Sequence, residues 1–424
     1  MKYIKKKLTI ENVNVDFIAK KYGTPTYCYS YAKLKKNIEN FKKSFQSFSP
    51  LICFAVKSNT NVNLIREIKR FGLGADVVSM GELMMAIKAG ISPKKIVFSG
   101  VGKTFEELLY AINKNIFLIN AESENEIKQI EKIAKLKKKK IEIGIRLNPN
   151  TDAKTLSQIS TGKKENKFGV NSKTFVRLVH NYKNSRNVKL KCLSVHIGSQ
   201  IVDHKPYEKM LKSITKILKK VNYEFEFIDL GGGMGISYND YEKKLDYRKY
   251  CIAIKKFLNK NKSKIIANRL FSLPKFQESK QVAFYSSFHN EVSTDSMIDY
   301  SINLGKDVFL PKINQSQNTM TFYKISSRHD LEKGAFNILE PSLIQRSLLS
   351  EYTFKLIIVP GIAFDYSGNR LGFGYGYYDS FLKDKNELYK IGLAFDFQLS
   401  KIDNKTSDVP MDLILTETGL IRPK

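Results

Sequence analysis

Lys262-Ser263-Lys264-Ile265-Ile266 is the stretch whose reading decides the fold, because the 424-residue chain changes character there. Before it, short β-rich runs alternate with amphipathic helical patterns, as in βαβ units with a parallel sheet. Strands are predicted over Leu51–Val56, Gly74–Val78, Lys95–Ser99, Ile116–Ile119, Ile141–Leu147, Leu190–Ile197 and Glu226–Leu230. Helical patterns over Asn61–Arg70, Gly81–Ala89, Phe105–Asn113 and Glu124–Ala134 fall between them. Seven strands in one repeat predict an α/β fold of the (β/α)8 barrel type, short of its last strand. Past the seam, a helix over Ser263–Leu273 stops before Pro274. Strands at Gln281–Ser286, Asp307–Leu310, Lys355–Val359, Lys390–Phe395 and Leu413–Leu415 follow, with a helix at Thr294–Leu304. That alternation predicts a second, smaller α/β domain of three layers. No Gly-, Pro- or Ser-rich spacer surrounds the five residues, so they resemble a cut more than a linker. The division expected is residues 1–262 and 263–424.

Composition narrows the functional classes. The net charge of +30 suggests a polyanion partner, but only 11 of the 71 basic residues are Arg, and the Lys is scattered among Asn and Ile. Nucleic-acid readers cluster Arg and interleave aromatics, so no nucleic-acid partner is expected. The densest run, Lys135 to Lys140, falls between a helix and a strand and reads as a solvated turn. No apolar run reaches the ~18 residues of a membrane span, and MKYIKKKLTI has no apolar signal-peptide core. A cytoplasmic protein without membrane contact is expected. Cys28, Cys53, Cys192 and Cys251 form no CxxC pair, which favours buried free thiols over zinc.

Chemistry-bearing residues sit where barrel enzymes keep them, at the C-terminal ends of strands. Lys57 follows Phe54-Ala55-Val56, where an amine can form a Schiff base. His196 closes Leu193-Ser194-Val195 and precedes Ile197-Gly198-Ser199-Gln200. Asp229-Leu230-Gly231-Gly232-Gly233-Met234-Gly235 is a glycine cluster after a strand, where bare N–H groups can approach a phosphate. Singly, these are equally a solvated lysine, a hydrogen-bonded histidine and a tight turn. In the second half, Gly368-Asn369-Arg370-Leu371-Gly372-Phe373-Gly374-Tyr375-Gly376-Tyr377-Tyr378-Asp379 sets alternating glycines after an arginine and before a helix. That suits a phosphate cradle, and equally a glycine-rich turn with packed aromatics.

In this order the first-half motifs resemble the N-terminal, alanine racemase-like domain of diaminopimelate decarboxylase over residues ~8–266. The resemblance includes Tyr22-Gly23-Thr24-Pro25, Phe54 to Asn59, Gly74-Ala75-Asp76-Val77-Val78-Ser79, Phe98 to Thr104, Arg146-Leu147-Asn148-Pro149-Asn150 and Asn166-Lys167-Phe168-Gly169. It implies that pyridoxal 5'-phosphate binds through Lys57, that His196 stacks on its ring, and that Ser199 with Gly232, Gly233 and Gly235 hold its phosphate. It also allows a homodimer through the barrel half. Leu156-Ser157-Gln158 departs from the family's polar His-x-Tyr. The larger departure is at the seam. Where the family continues Glu-Pro-Gly-Arg, this chain reads Ala267-Asn268-Arg269, and the family's C-terminal β-domain does not follow. The acid that pairs with the pyridinium nitrogen is thereby lost, the segment near Thr24–Ser30 loses its partner, and little decarboxylase activity is expected.

Residues ~262–424 resemble 5-formyltetrahydrofolate cyclo-ligase (methenyltetrahydrofolate synthetase). The motifs are Leu273-Pro274-Lys275-Phe276, Asn290-Glu291-Val292-Ser293-Thr294, Leu339-Glu340-Pro341, Pro360 to Asp365, the glycine stretch, and Thr416-Glu417-Thr418-Gly419. The resemblance implies ATP-dependent closure of 5-formyltetrahydrofolate to methenyltetrahydrofolate. Arg370 with Gly372, Gly374 and Gly376 would hold ATP phosphates, and Asp379 and Asp408 a Mg2+ ion. Glu291 would contact the pterin, and Tyr377 and Tyr378 would line the folate pocket. Asn337 replaces a family glycine, and Asn tolerates the left-handed conformation. Lys244 and Arg248 have the Lys-x-x-x-Arg spacing of that family's first helix, although their stretch matches the decarboxylase better. The seam residues fit either family.

Overall fold

The computed structural model describes residues 2–4, 6–153, 161–162, 167–237, 245–288, 290–342, 354–402 and 409–423. Leu156-Ser157-Gln158, Asn166, Lys244 and Asp408 lie outside them. The chain forms two compact units, Met1–Ile254 and Lys255–Lys424.

The first unit opens with a three-stranded antiparallel sheet, β1 (Lys2–Ile4), β2 (Lys7–Ile10) and β3 (Val13–Asn14). Its main sheet follows the predicted pattern: β4 (Cys53–Ala55), β5 (Gly74–Val77), β6 (Ile96–Phe98), β7 (Leu118–Ala121), β8 (Ile141–Arg146), β9 (Val188–Ser194) and β10 (Phe227–Asp229). These pair in parallel and in sequence order. The inner strands are buried on both faces, with β6 and β7 wholly so, as crossover helices on a parallel sheet require. Local chemistry sets the helix starts. Ser79 and Ser123 each accept from the backbone N–H three residues on, and Thr104 with Glu107 makes a reciprocal capping box.

Among the described residues no eighth strand joins β10 to β4. Aromatic packing spans the gap in the helical layer instead. Tyr250 stacks on Tyr207 from the helix Lys205–Val221, with centroids 4.2 Å apart, and meets Phe45 from the helix Tyr31–Phe45 at 6.0 Å. Tyr247 packs edge-on against Phe41 at 5.6 Å, and Cys251 Sγ donates to the Ser44 carbonyl. The helices flanking the missing strand are thus clamped by large apolar side chains. The segment Thr24–Ser30 carries no strand, and Tyr27 is 90% exposed.

In the second unit seven strands form a mixed sheet. They are β11 (Gln281–Ala283), β12 (Asp307–Asn314), β13 (Thr319–Ile325), β16 (Leu356–Val359), β19 (Tyr389–Leu393), β20 (Leu413–Leu415) and β21 (Leu420–Ile421). Two short hairpins flank it, β14 (Leu331–Lys333) with β15 (Leu339–Pro341), and β17 (Ala363–Phe364) with β18 (Arg370–Leu371). The order is β13-β12-β11-β16-β19-β20-β21, antiparallel only at its two ends. Alternation along the strands sends side chains into two cores. Val282, Phe284, Leu356 and Ile358 join one with Ile266, Leu270 and Met297; Ala283, Ile357 and Val359 join the other with Phe381 and Leu382. Helices therefore cover both faces, giving three layers.

The seam is helical. One helix runs Tyr247–Phe271, so the start predicted at Ser263 is corrected to a point sixteen residues earlier. The barrel's eighth strand is not formed from Lys262–Ile266 because the second unit's core uses those residues. Ile266 and Leu270 are fully buried at helical spacing. Ser263 Oγ accepts from the Ser293 N–H at 2.9 Å, and Lys262 pairs with Glu417 at 2.5 Å. Burying two large aliphatic side chains contributes about 3–6 kcal/mol, more than the ~1 kcal/mol range of strand propensity.

Candidate functional site

In the barrel unit, Lys57 sits exposed in the 3-10 turn Val56–Ser58 that ends β4. Val56 beneath it is fully buried and anchors that turn. His196 follows β9, and its Nδ1 accepts from the Gly232 N–H at 3.2 Å. Burial first, then the Arg146 and Lys57 charges, lower its pKa to about 3, so the ring is a neutral imidazole with its proton on Nε2. Arg146 is itself buried against Glu122 at 2.7 Å. Asp229 accepts from Ser194 Oγ at 2.9 Å, Asn120 Nδ2 at 2.9 Å and the Gly231 N–H at 2.8 Å. Asp76 beside it is raised to about 6 by burial and by the Asp229 charge.

The glycine cluster is partly committed to the protein. Besides the Gly232 N–H, the Gly235 N–H donates to the Ile201 carbonyl at 2.9 Å, and the Gly232 carbonyl accepts from Tyr207 at 3.0 Å. The N–H groups of Gly233 and Met234 take no part in these bonds. Gly233 has φ +76, and a Cβ there would stand 1.7 Å from the Gly198 carbonyl oxygen, so the turn admits only glycine. Ser199 lies half-buried in the loop after His196. These residues fit a phosphorylated aldehyde in part: an accessible amine, a neutral ring and two uncommitted N–H groups. Among the described residues no strand stands between β10 and β4 to supply an acid on the far side.

The second unit holds a cavity of about 920 Å3, within the size range of small-molecule sites. Arg370, Gly372, Gly374, Gly376, Tyr377, Tyr378, Asp379 and Glu291 all line it, so the structure brings together every described residue singled out in this half. Arg370, 6% exposed on β18, donates to Asp379 Oδ2 at 2.7 Å and lies over the Tyr378 ring at 5.6 Å. Arg370 Nε and Asp379 Oδ1 are buried without hydrogen-bond partners among the described residues. Polar atoms left in that state carry a desolvation cost that an ionic ligand would relieve. Gly374 and Gly376 have φ +92 and +70, where a side chain would strain the loop. Gly372 is glycine for space, since a Cβ there would come 2.7 Å from the Arg370 guanidinium. Asp379 Oδ1 offers one oxygen suited to Mg2+.

Glu291 caps its own turn by accepting from the Phe288 N–H at 2.8 Å. Burial raises its pKa to about 7. Burial also pushes the Tyr378 phenol well above its ordinary value. Phe336 packs tilted against Tyr375 at 5.0 Å and Tyr375 stacks on Tyr377 at 6.0 Å, making an aromatic row along the cavity. Sequence reasoning missed Phe336, Tyr285 and Glu340 among the lining residues. Glu340 alone had a signal, its place in the Leu339-Glu340-Pro341 motif.

Comparison with known proteins gives two matches that share the seam helix. The pyridoxal-dependent decarboxylase pyridoxal binding domain model matches residues 31–271, and the 5-formyltetrahydrofolate cyclo-ligase family model matches 243–417. Diaminopimelate decarboxylase of Helicobacter pylori strain J99 is 42% identical over 239 residues, 55% of this chain and 59% of that protein. The crystal structure of the Helicobacter pylori enzyme complexed with L-lysine superposes with a TM-score of 0.56 at 40% identity, covering 58% of this chain and 63% of the other. The NMR structure of Aquifex aeolicus 5,10-methenyltetrahydrofolate synthetase is 34% identical, with a TM-score of 0.35, covering 39% of this chain and 82% of that one. The chain spans about three fifths of the length of the curated decarboxylases it matches. It belongs to the pyridoxal-dependent decarboxylase family through its pyridoxal binding domain, with a cyclo-ligase family segment fused behind it. No helix among the described residues is long and apolar enough to cross a membrane.

Proposed function

We propose that the second unit converts 5-formyltetrahydrofolate and ATP to 5,10-methenyltetrahydrofolate, ADP and phosphate. The supporting observation is the assembly around one cavity of a buried guanidinium, a glycine loop, a carboxylate with an oxygen unpaired among the described residues, and Glu291. Arg370 and the N–H groups of Gly372–Gly376 hold the ATP phosphates. The formyl oxygen attacks the γ-phosphorus and ADP departs; N10 then attacks the activated carbon and releases its proton to solvent, and phosphate leaves with the original formyl oxygen. Arg370 offsets the charge on the transferred phosphoryl group throughout. Tyr378, neutral across the working range, closes one wall with Tyr377 and limits water. Asp379, with Asp408 from outside the described residues, would hold Mg2+, which neutralises phosphate charge when bound.

The barrel unit retains a pyridoxal phosphate site and does not decarboxylate diaminopimelate. Pyridoxal phosphate would supply an electron sink when bound. Lys57 provides the amine, His196 a neutral face, and Gly233, Met234 and Ser199 hydrogen bonds to phosphate. The helical seam supports the loss of turnover, because among the described residues no strand brings an acid to that site.

The test is the purified full chain with 5-formyltetrahydrofolate, ATP and Mg2+, followed by near-ultraviolet absorbance of the methenyl product. Turnover that disappears in Arg370→Ala is expected. A wild-type chain that binds neither ATP nor folate sinks the reading. Lysine release from meso-diaminopimelate that is lost in Lys57→Ala would overturn the statement about the barrel.

A further inference from the structure

The cavity wall contains a second buried acid that the reaction scheme leaves unused. Glu340, on β15, lines the cavity and is only 3% exposed. It accepts hydrogen bonds from the backbone N–H groups of Ile313 and Ala335. Its Oε1 has no hydrogen-bond partner among the described residues. Lys312 of β12, whose charge acts on Glu340, is engaged by other groups, since it pairs with Glu332 at 3.1 Å and donates to the Pro341 carbonyl at 2.9 Å. Burial raises the Glu340 pKa, as expected of a carboxyl with one oxygen unsatisfied.

The loop over this acid is held in an unusual shape. Phe336 and Asn337 both lie in the left-handed region, at φ +56 and +60. Phe336 is a bulky residue for which that conformation is strained, and its ring is thereby laid on Tyr375 of the glycine loop. Gly334 passes so close that a Cβ would come 2.1 Å from Glu340 Oε2. The cavity therefore has a cationic, N–H-rich region at Arg370 and the glycine loop. It also has two acceptors without cationic partners, Glu291 and Glu340.

We propose that Glu340 is a specificity-determining residue, whose free Oε1 accepts a hydrogen bond from an N–H of the substrate's aminopyrimidine ring while the phosphoryl group lies at Arg370. This rests on the folate reading of the cavity. A reduced pterin has a donor-rich edge, the 2-amino group and ring N–H, which matches these acceptors as the phosphates match the cation and N–H donors. A charge-assisted bond of this kind strengthens when water is excluded, and its loss leaves the ligand's donor unpaired.

Binding of 5-formyltetrahydrofolate and of ATP is measured separately on the full chain for the wild type, Glu340→Ala and Glu340→Gln, with thermal melts as the folding control. Glu340→Ala is expected to weaken folate binding about tenfold to a hundredfold and to leave ATP binding unchanged. Glu340→Gln, which keeps an acceptor oxygen, recovers part of the loss. A 2-desamino-2-methyl analogue should bind the wild type more weakly than the parent folate, yet bind Glu340→Ala no more weakly than the parent does. Equal folate affinity in wild type and Glu340→Ala overturns the inference and leaves the folate reading standing. Parallel loss of folate, ATP and thermal stability also overturns it, by assigning Glu340 to the hairpin's structure. A wild type that binds ATP but no folate removes the reading on which it rests.

Discussion

Replacing Glu291 by Gln should make the second unit more stable at alkaline pH and change little at acid pH. Burial moves this carboxyl from 4.5 to about 7, opposed only by the Phe288 N–H bond. The folded state thus prefers the neutral acid, so between pH 4.5 and 7 it binds more protons than the unfolded chain. Stability from this group is fully present below pH 4.5 and is lost as pH rises through 7. At ~1.4 kcal/mol for each pH interval, the loss amounts to about 3 kcal/mol by pH 8. Gln keeps the oxygen that accepts from Phe288 and cannot ionise, so it escapes the loss. Hydrogen exchange of the β16 and β19 amides, buried at the centre of that sheet, reads the stability of this unit separately from the barrel's. Slower exchange in Glu291→Gln at pH 8, converging with the wild type near pH 5 after correction for intrinsic rates, is the expected result. Identical pH dependence in the two proteins would refute the burial of an ionisable group at this position.

Other perturbations test other parts of the structure. Arg370→Ala should cost about 3–5 kcal/mol of second-unit stability, because Asp379 is left as an uncompensated, partly buried charge; Arg370→Ala/Asp379→Asn should regain most of it without regaining turnover, as urea melts and the ATP assay will show. Ile266→Ala should cost about 2–5 kcal/mol and speed exchange in β16 and β19, whereas a seam belonging to the barrel would leave those amides unchanged. Gly233→Ala should abolish the visible absorbance of lysine-bound pyridoxal phosphate, since its Cβ meets the Gly198 carbonyl, and should leave folate turnover at the wild-type rate.

Much of the architecture was legible because it is written in continuous apolar runs. β5, β6 and β8 fall within a residue or two of their predicted spans, and β20 coincides with its prediction. β13 was missed: Thr319-Met320-Thr321-Phe322-Tyr323-Lys324-Ile325 alternates only weakly, and its turn, Asn314 to Asn318, contains no Gly or Pro. The helix start was misplaced because Tyr247 and Tyr250 face aromatic neighbours in the barrel unit, while Ile266 and Leu270 face the second unit's core. A helix that changes its buried face part-way shows no single periodicity. At the sites, residue types and order pointed to Lys57 and His196, which the structure places after β4 and β9, and to Arg370 and Glu291, which line one cavity, but sequence carries no record of where a backbone N–H is spent. The Gly232 bond to His196 and the free oxygen of Glu340 are facts of geometry. Asn337 does adopt the left-handed conformation its substitution for glycine requires, and Phe336 joins it there, which residue type alone argues against.

The interruption of the barrel leaves β4 and β10 as edges of three residues each. An intruding strand needs a longer row of free N–H and C=O groups to hold its register, so the exposed ends make poor templates for sheet growth. With the flanking helices clamped by Tyr207, Tyr250 and Phe45, what remains resembles the open parallel sheets of doubly wound proteins, which need no ring to be stable. A closed barrel is thus divisible: most of its stability resides in neighbouring strand–helix pairs, and closure adds the last increment. Losing a strand need not therefore cost such a protein its fold, which leaves a folded domain behind which a second domain's sequence can be carried.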